Sequence, residues 1–194
     1  VQWIAPDSAH RHDLDAMRAA ATQRTSLVYV CNPNNPTGTA VTRDALETFV
    51  RSLPSTTTVV VDEAYIDFVD GTGVGTVAPL AQQVPNLIVL RTFSKIHGLA
   101  GLRIGYAISS AAIAKRFADL SLVWPNSTGV DAALASHGDS TFLKSTRAAI
   151  LADRTRVHAA LDRMGRPHTD AQGNFVFFDT GMAVQQFRDR MLAR

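Results

Sequence analysis

Three short runs of aliphatic, β-branched and aromatic residues, at 27–30, 58–61 and 87–90, each stop at a polar, turn-forming segment. Uninterrupted apolar runs of about four to eight residues between turn signals fit strands buried on both faces, the condition of a parallel sheet. Between the first two runs, Leu46, Phe49, Val50 and Leu53 recur at i, i+3, i+4 and i+7. That spacing predicts one face of a helix, capped by Thr42. Strands alternating with covering helices give an α/β class with a mainly parallel sheet. A fourth strand is expected at 104–108, and a strand-like run opens the chain at 1–5.

After Ser109 the pattern turns helical, with Pro125 expected to end a helix. Leu143, Ile150, Leu151, Val157, Leu161 and Met164 keep a helical period, predicting one long helix over 140–164 that links two lobes. A strand at 175–178 and a helix at 184–192 follow. One strand and one helix cannot close a core, so the second lobe reads as an incomplete small α+β domain. Residues 1–125 are assigned to a large domain and 126–194 to the interdomain helix and the start of the small one.

Composition removes several function classes. Of the 194 residues 46% are apolar and 19% charged, below the roughly 25% charged of an average soluble domain, which argues for burial rather than disorder. The net charge of +2 is scattered, without the basic stripe a nucleic acid partner requires. No apolar run approaches the roughly 18 residues that span a bilayer. The one cysteine, Cys31, cannot form an intrachain disulfide. Residues 1–12 lack a basic start and an apolar signal core, so any targeting segment would lie upstream of them, and the cytoplasm is the location expected only by default. His10 and His12 have no accompanying carboxylate cluster, and no metal site is expected. The loop Gly71-Thr72-Gly73-Val74-Gly75 opens no helix at the spacing of a dinucleotide fingerprint and reads as a surface loop.

In open α/β sheets ligands bind beyond the carboxyl ends of the strands, which makes the three strand-end segments candidates for one site. The first offers Asn35-Pro36-Thr37-Gly38, a proline-fixed turn presenting an amide. The second offers Asp62, Glu63 and Tyr65, and the third Thr92, Ser94 and Lys95, with Arg103 beyond. Each alone has an ordinary reading as turn, helix cap or surface cation. Lys95 stands out, because only three lysines accompany sixteen arginines and the other two, Lys115 and Lys144, fall in expected helices. A lysine amine, a carboxylate for a pyridine nitrogen, a Tyr and an Asn for a phenolate oxygen, and an Arg with hydroxyls for a phosphate are what pyridoxal phosphate requires.

These segments, with Gly98-Leu99-Ala100-Gly101-Leu102-Arg103-Ile104-Gly105-Tyr106, resemble the class I/II aminotransferases of pyridoxal phosphate fold type I. The run at 31–38, Ala64-Tyr65-Ile66-Asp67-Phe68 and Asn174-Phe175-Val176-Phe177-Phe178 look most like histidinol-phosphate aminotransferase. The resemblance implies pyridoxal 5′-phosphate as cofactor, with Lys95 as the lysine that binds it covalently and then shuttles a proton. It implies Asp62 on the ring nitrogen, Tyr65 and Asn35 on the 3′ oxygen, and Thr92, Ser94 and Arg103 on the phosphate. It further implies amino-group transfer between histidinol phosphate, or a related amino compound, and 2-oxoglutarate in a homodimer. A fold-type-I decarboxylase or lyase, which shares the cofactor residues, is one alternative, and a non-catalytic aminotransferase-like module serving regulation or assembly is another. Neither the family's upstream phosphate-capping loop and ring-stacking aromatic nor its C-terminal substrate-binding arginine is matched here, and the chain reads as the middle and latter part of such an enzyme. Asn174 is a candidate cleft residue, and His97 a packing residue where the family more often has an aromatic.

Overall fold

The computed structural model describes residues 1–71, 73–121 and 124–193. Its centre is a four-stranded sheet in the order β1 (Leu27–Cys31), β2 (Thr58–Asp62), β3 (Leu87–Thr92) and β4 (Gly105–Ser109). The first three strands run parallel, and β4 returns antiparallel to β3, with Arg91 opposite Tyr106. All four expected strands of the first half form within a residue or two of their sequence-derived limits. The run at 1–5 forms none, because no neighbouring strand pairs with it among the described residues.

Strand alternation divides the sheet into two unlike faces. Val28 and Val30 on β1, Val59 and Val61 on β2, and Leu87 and Val89 on β3 stand on one side and are buried. They pack with Leu46, Phe49 and Val50 of helix α2 (Arg43–Ser52) in the main core. Helix α2 begins where expected, the Thr42 hydroxyl accepting from the Ala45 N–H at 3.3 Å. Its short predecessor, α1 (Leu14–Ala20), was not legible in the sequence, since none of its residues is buried. The opposite sheet face carries Tyr29, Cys31, Val60, Asp62, Ile88 and Leu90. It is less covered, Tyr29 being half exposed.

Beyond β4 the chain is helical: α3 (Ala111–Leu120), α4 (Ser127–Gly138), α5 (Ser140–Arg163) and α6 (Val184–Leu192). The helix expected to end at Pro125 ends at Leu120, and Asn126 after the proline caps α4 by accepting from the Gly129 N–H. The long helix is as expected, 24 residues. Two of its arginines reach across to the chain that follows β2. Arg147 donates to the Asp67 and Val69 carbonyls, and buried Arg154 donates to the carbonyls of Phe68 at 3.1 Å and Gly173 at 3.0 Å and pairs with Asp70. The strand expected at 175–178 is reduced to a single bridge between His168 and Phe178. A strand needs a partner of matching length, and the described residues supply none there. Among the described residues no helix is long and apolar enough to cross a membrane.

His12 ties the segment before α1 to the sheet through a 3.0 Å contact between Nε2 and the Cys31 carbonyl, in which the nitrogen is the donor. Burial pushes its pKa below the usual histidine value, partly opposed by that hydrogen bond. A histidine kept neutral by the fold takes up its proton more readily when unfolded, at about pH 6.5. Its contribution is therefore complete above that pH and is lost progressively as the pH falls below it, through the lower pKa of the folded state. Urea denaturation of the intact protein at pH 7.5 and 5.5 is expected to show a smaller stability loss on acidification in His12→Gln than in the unaltered chain. Equal losses would show that His12 is not the titrating group.

Candidate active site

The carboxyl ends of β1, β2 and β3 lie side by side in register, Cys31 opposite Asp62 and Asp62 opposite Leu90. The three polar segments that follow therefore leave the sheet at one edge. From the first, Asn35 Nδ2 donates to the Tyr65 hydroxyl at 3.1 Å. From the third, Lys95 Nζ sits 4.9 Å from the centre of the Tyr65 ring, a cation–π contact. Tyr65 is buried and also makes a T-shaped contact with Phe175, ring centres 5.1 Å apart. One aromatic side chain thus joins the first segment, the lysine and the segment after α5.

Asp62, the last residue of β2, has both oxygens engaged. Oδ1 accepts from the Ala64 N–H at 3.0 Å and Oδ2 from the Tyr29 hydroxyl at 2.7 Å. Partial burial, then the bond to the Asp62 carboxylate, push the Tyr29 phenol well above the usual tyrosine range. Burial likewise raises the thiol of Cys31, whose Sγ lies 3.3 Å from the Pro33 carbonyl. Next in the chain, Glu63 turns the other way and is fully buried. It accepts from the Thr76 hydroxyl and the Val77 N–H, both at 2.7 Å, and from Arg91 Nε at 2.8 Å.

The turn carrying Asn35 is locked from two sides. Asn34 Nδ2 donates to the Thr37 hydroxyl at 2.8 Å, and the Thr169 hydroxyl to the Thr37 carbonyl at 2.6 Å. Gly38, at φ +73°, passes so close to Ala171 that an added Cβ would lie 2.7 Å from the alanine methyl, so this turn requires glycine. Thr92 Oγ1 accepts from the Ser94 N–H at 3.0 Å, fixing the two hydroxyl residues relative to one another. His97 packs as expected, its ring 4.6 Å from Phe93 and Nδ1 2.8 Å from the Ser136 hydroxyl on α4; burial lowers its pKa.

Asn35, Tyr65 and Lys95 are thus brought together directly, and Asp62 lies at the same sheet edge. Arg103 is not joined to Thr92, Ser94 or Lys95 by a hydrogen bond among the described residues. It is exposed, adopts a left-handed backbone at φ 54°, and donates to the Ala100 carbonyl at 2.7 Å. Its side chain lines a cavity of about 840 Å³ with Phe93, Tyr106, Trp124 and Leu134. Asn174 is exposed, and it is Phe175 that reaches the site. Thr72 of the glycine-rich loop lies outside the described residues; beside it the Gly71 N–H donates to Gln172 and the Gly73 carbonyl accepts from the Arg43 N–H. Sequence reasoning missed Tyr29 and the Glu63–Arg91 pair. Strand alternation puts Tyr29 on the face of Asp62 and was the available signal for the first.

The order of these parts along the chain is that of a known family, whose model, described as aminotransferase class I and II, matches residues 4–194. The chain belongs to that family. An aromatic amino acid aminotransferase from Mycobacterium sp. (strain KMS) is 45% identical over 169 residues, covering 87% of this chain and 47% of the relative. One from Mycolicibacterium vanbaalenii is 45% identical over 187 residues, covering 94% and 52%. Among solved structures, histidinol-phosphate aminotransferase from Sinorhizobium meliloti, in complex with pyridoxal-5′-phosphate, superposes with a TM-score of 0.89 at 31% identity, covering 99% of this chain and 53% of that one. The chain spans about half the length of these relatives.

Proposed function

We propose that this chain carries the pyridoxal 5′-phosphate site of an aminotransferase. The observation that carries the reading is the convergence of Lys95 and Asn35 on Tyr65, at the sheet edge where Asp62 ends β2. The donor set fits the group: an amine with no hydrogen bond of its own among the described residues, an amide and phenol already bonded to one another, and an aspartate at a strand end. In this reading Lys95 would hold the cofactor covalently, Asp62 would pair with its ring nitrogen, Asn35 and Tyr65 would bind its 3′ oxygen, and Thr92, Ser94 and Arg103 would bind its phosphate. Arg103 must first exchange the Ala100 carbonyl for the phosphate, a pairing that guanidinium geometry favours. When bound, pyridoxal phosphate supplies an aldehyde that condenses with amines and a ring that withdraws electrons from the substrate Cα. The chain's own contribution is to fix the ring with side chains on three strand ends, to keep the amine of Lys95 at the reacting face, and to move a proton there.

For the substrate we infer an aromatic amino acid as donor and a 2-oxo acid as acceptor, supported by the two relatives at 45% identity that bear that name. Histidinol phosphate is the second reading, supported by the Sinorhizobium structure and by the motif at 31–38. Both donors carry a planar ring. The division into a large domain at 1–125 and a small one from 126, and assembly as a homodimer, belong to the same proposal. Exposed Trp3, Tyr106, Trp124 and Leu134 supply apolar surface of the kind interfaces bury.

Reduction of the intact protein with borohydride in the presence of pyridoxal phosphate, followed by peptide mapping, is expected to place the pyridoxyl group on Lys95. Label on Lys115 or Lys144 instead would refute the assignment. Transamination assays with phenylalanine, tyrosine and histidinol phosphate then decide the donor, and release of CO2 in place of a 2-oxo acid would mark a decarboxylase.

A further inference from the structure

We propose that Tyr29 is a positioning residue for Asp62, holding the carboxylate in place for the cofactor's ring nitrogen from the amino-terminal side of the sheet. The proposal rests on the reading of Asp62 given above and concerns a residue that no strand-end motif contains. Cys31 pairs with Asp62 across β1 and β2, so Tyr29, two residues earlier on the same face, is its diagonal neighbour. Diagonal positions on a sheet are about 7–8 Å apart, a gap that an aromatic side chain bridges. The hydroxyl does bridge it, donating to Oδ2 at 2.7 Å, within the range of a strong hydrogen bond to an ionised acceptor.

The contacts on Asp62 come from known directions. The Ala64 N–H that bonds Oδ1 belongs to the turn following the strand, and Tyr29 approaches along the sheet face from below. Ligands of such sheets lie on the opposite, carboxyl-terminal side. Tyr29 therefore restrains the carboxylate without standing in the ligand's place. Replacement by phenylalanine removes one oxygen atom from a half-exposed side chain and leaves the ring's packing on the sheet intact. What it takes away is the restraint on Oδ2. A carboxylate free to rotate stabilises charge on the ring less well as the reaction proceeds, while substrate binding is unaffected, so the loss falls on kcat.

The test is a double-mutant cycle in the intact holoenzyme. Tyr29→Phe is expected to lower kcat about tenfold, with KM changed by less than about twofold. In an Asp62→Ala background the same change is expected to have no further effect, because Tyr29 acts only through Asp62. A purely structural tyrosine would give the same fall in both backgrounds, and that result overturns the proposal. Normal kcat in Tyr29→Phe when Asp62→Ala is impaired overturns it too and leaves the reading of Asp62 standing. Normal kcat in Asp62→Ala overturns both. A second readout needs no cofactor: NMR titration of a Tyr29 ring label in the cofactor-free protein. The phenol is expected to remain un-ionised through pH 10, where ordinary tyrosine titrates at about that value, and to ionise at lower pH in Asp62→Asn than in the unaltered protein. Identical titrations would show that the bond does not persist in solution.

Discussion

Lys95→Ala is expected to lower transamination by at least about 10²–10⁴-fold, the range for loss of one positioned proton-transfer group. The proposed site asks two things of this side chain: an amine that attaches to the cofactor's aldehyde, and a base that moves a proton at the substrate Cα once substrate has taken its place. Its surroundings suit both. It follows β3 closely enough to be fixed by the sheet, and its Nζ lies over the Tyr65 ring instead of in an ion pair. The aromatic face restrains the position of the amine. Lys95→Arg separates chemistry from charge. Arginine keeps the cation but does not deprotonate near neutrality, so it is expected to be as inactive as the alanine variant. Substantial turnover in Lys95→Arg would mean that the residue acts only as a cation and that the catalytic base is another group. Cofactor retention is the internal control, since Asn35, Asp62, Tyr65 and the phosphate-binding residues remain in both variants.

The parts of this site legible in sequence are those set by short-range physics. A parallel strand writes itself as a run such as Val59-Val60-Val61, although in β1 and β2 burial alternates and one face is only partly covered, and the residue after the run marks the strand's functional end. Lys95 was conspicuous because lysine is scarce here and this one lies in no helix. Contacts that depend on register were hidden. The Tyr29–Asp62 bond spans 33 positions, and strand alternation, which puts both side chains on one face, does not pair them until the register of β1 and β2 is known. The direction of β4 and the failure of a strand to form at 175–178 depend on which partners are available, information that a local pattern lacks. Phe175 was read as strand and instead packs its edge on Tyr65. Arg154 was hidden for another reason: on a helix surface an arginine is ordinary, and only the fold reveals it as buried against the chain after β2.

Glu63→Ala is expected to be the most destabilising single change near the site, by about 3–5 kcal/mol, the cost of removing one partner from a buried ion pair. Glu63 is 1% exposed and engages both carboxylate oxygens with a hydroxyl, a backbone N–H and a guanidinium. Truncation would leave Arg91, whose side chain is 16% exposed, with Asp67 at 3.7 Å as its remaining carboxylate, and would orphan the Val77 N–H. Arg91 lies on β3 and Glu63 just beyond β2, so the pair cross-links the two strand ends from which Lys95 and Asp62 emerge. Glu63→Gln keeps the shape and an oxygen acceptor and should cost less than alanine. Replacing both residues by well-packed apolar ones should cost less again, since the double change strands no charge. Urea titrations of the intact protein in these three variants give the order directly. A loss under about 1 kcal/mol in Glu63→Ala would mean that Asp67 swings in to take over Arg91. In that case cofactor affinity should also survive, because the two strand ends would still be tied together.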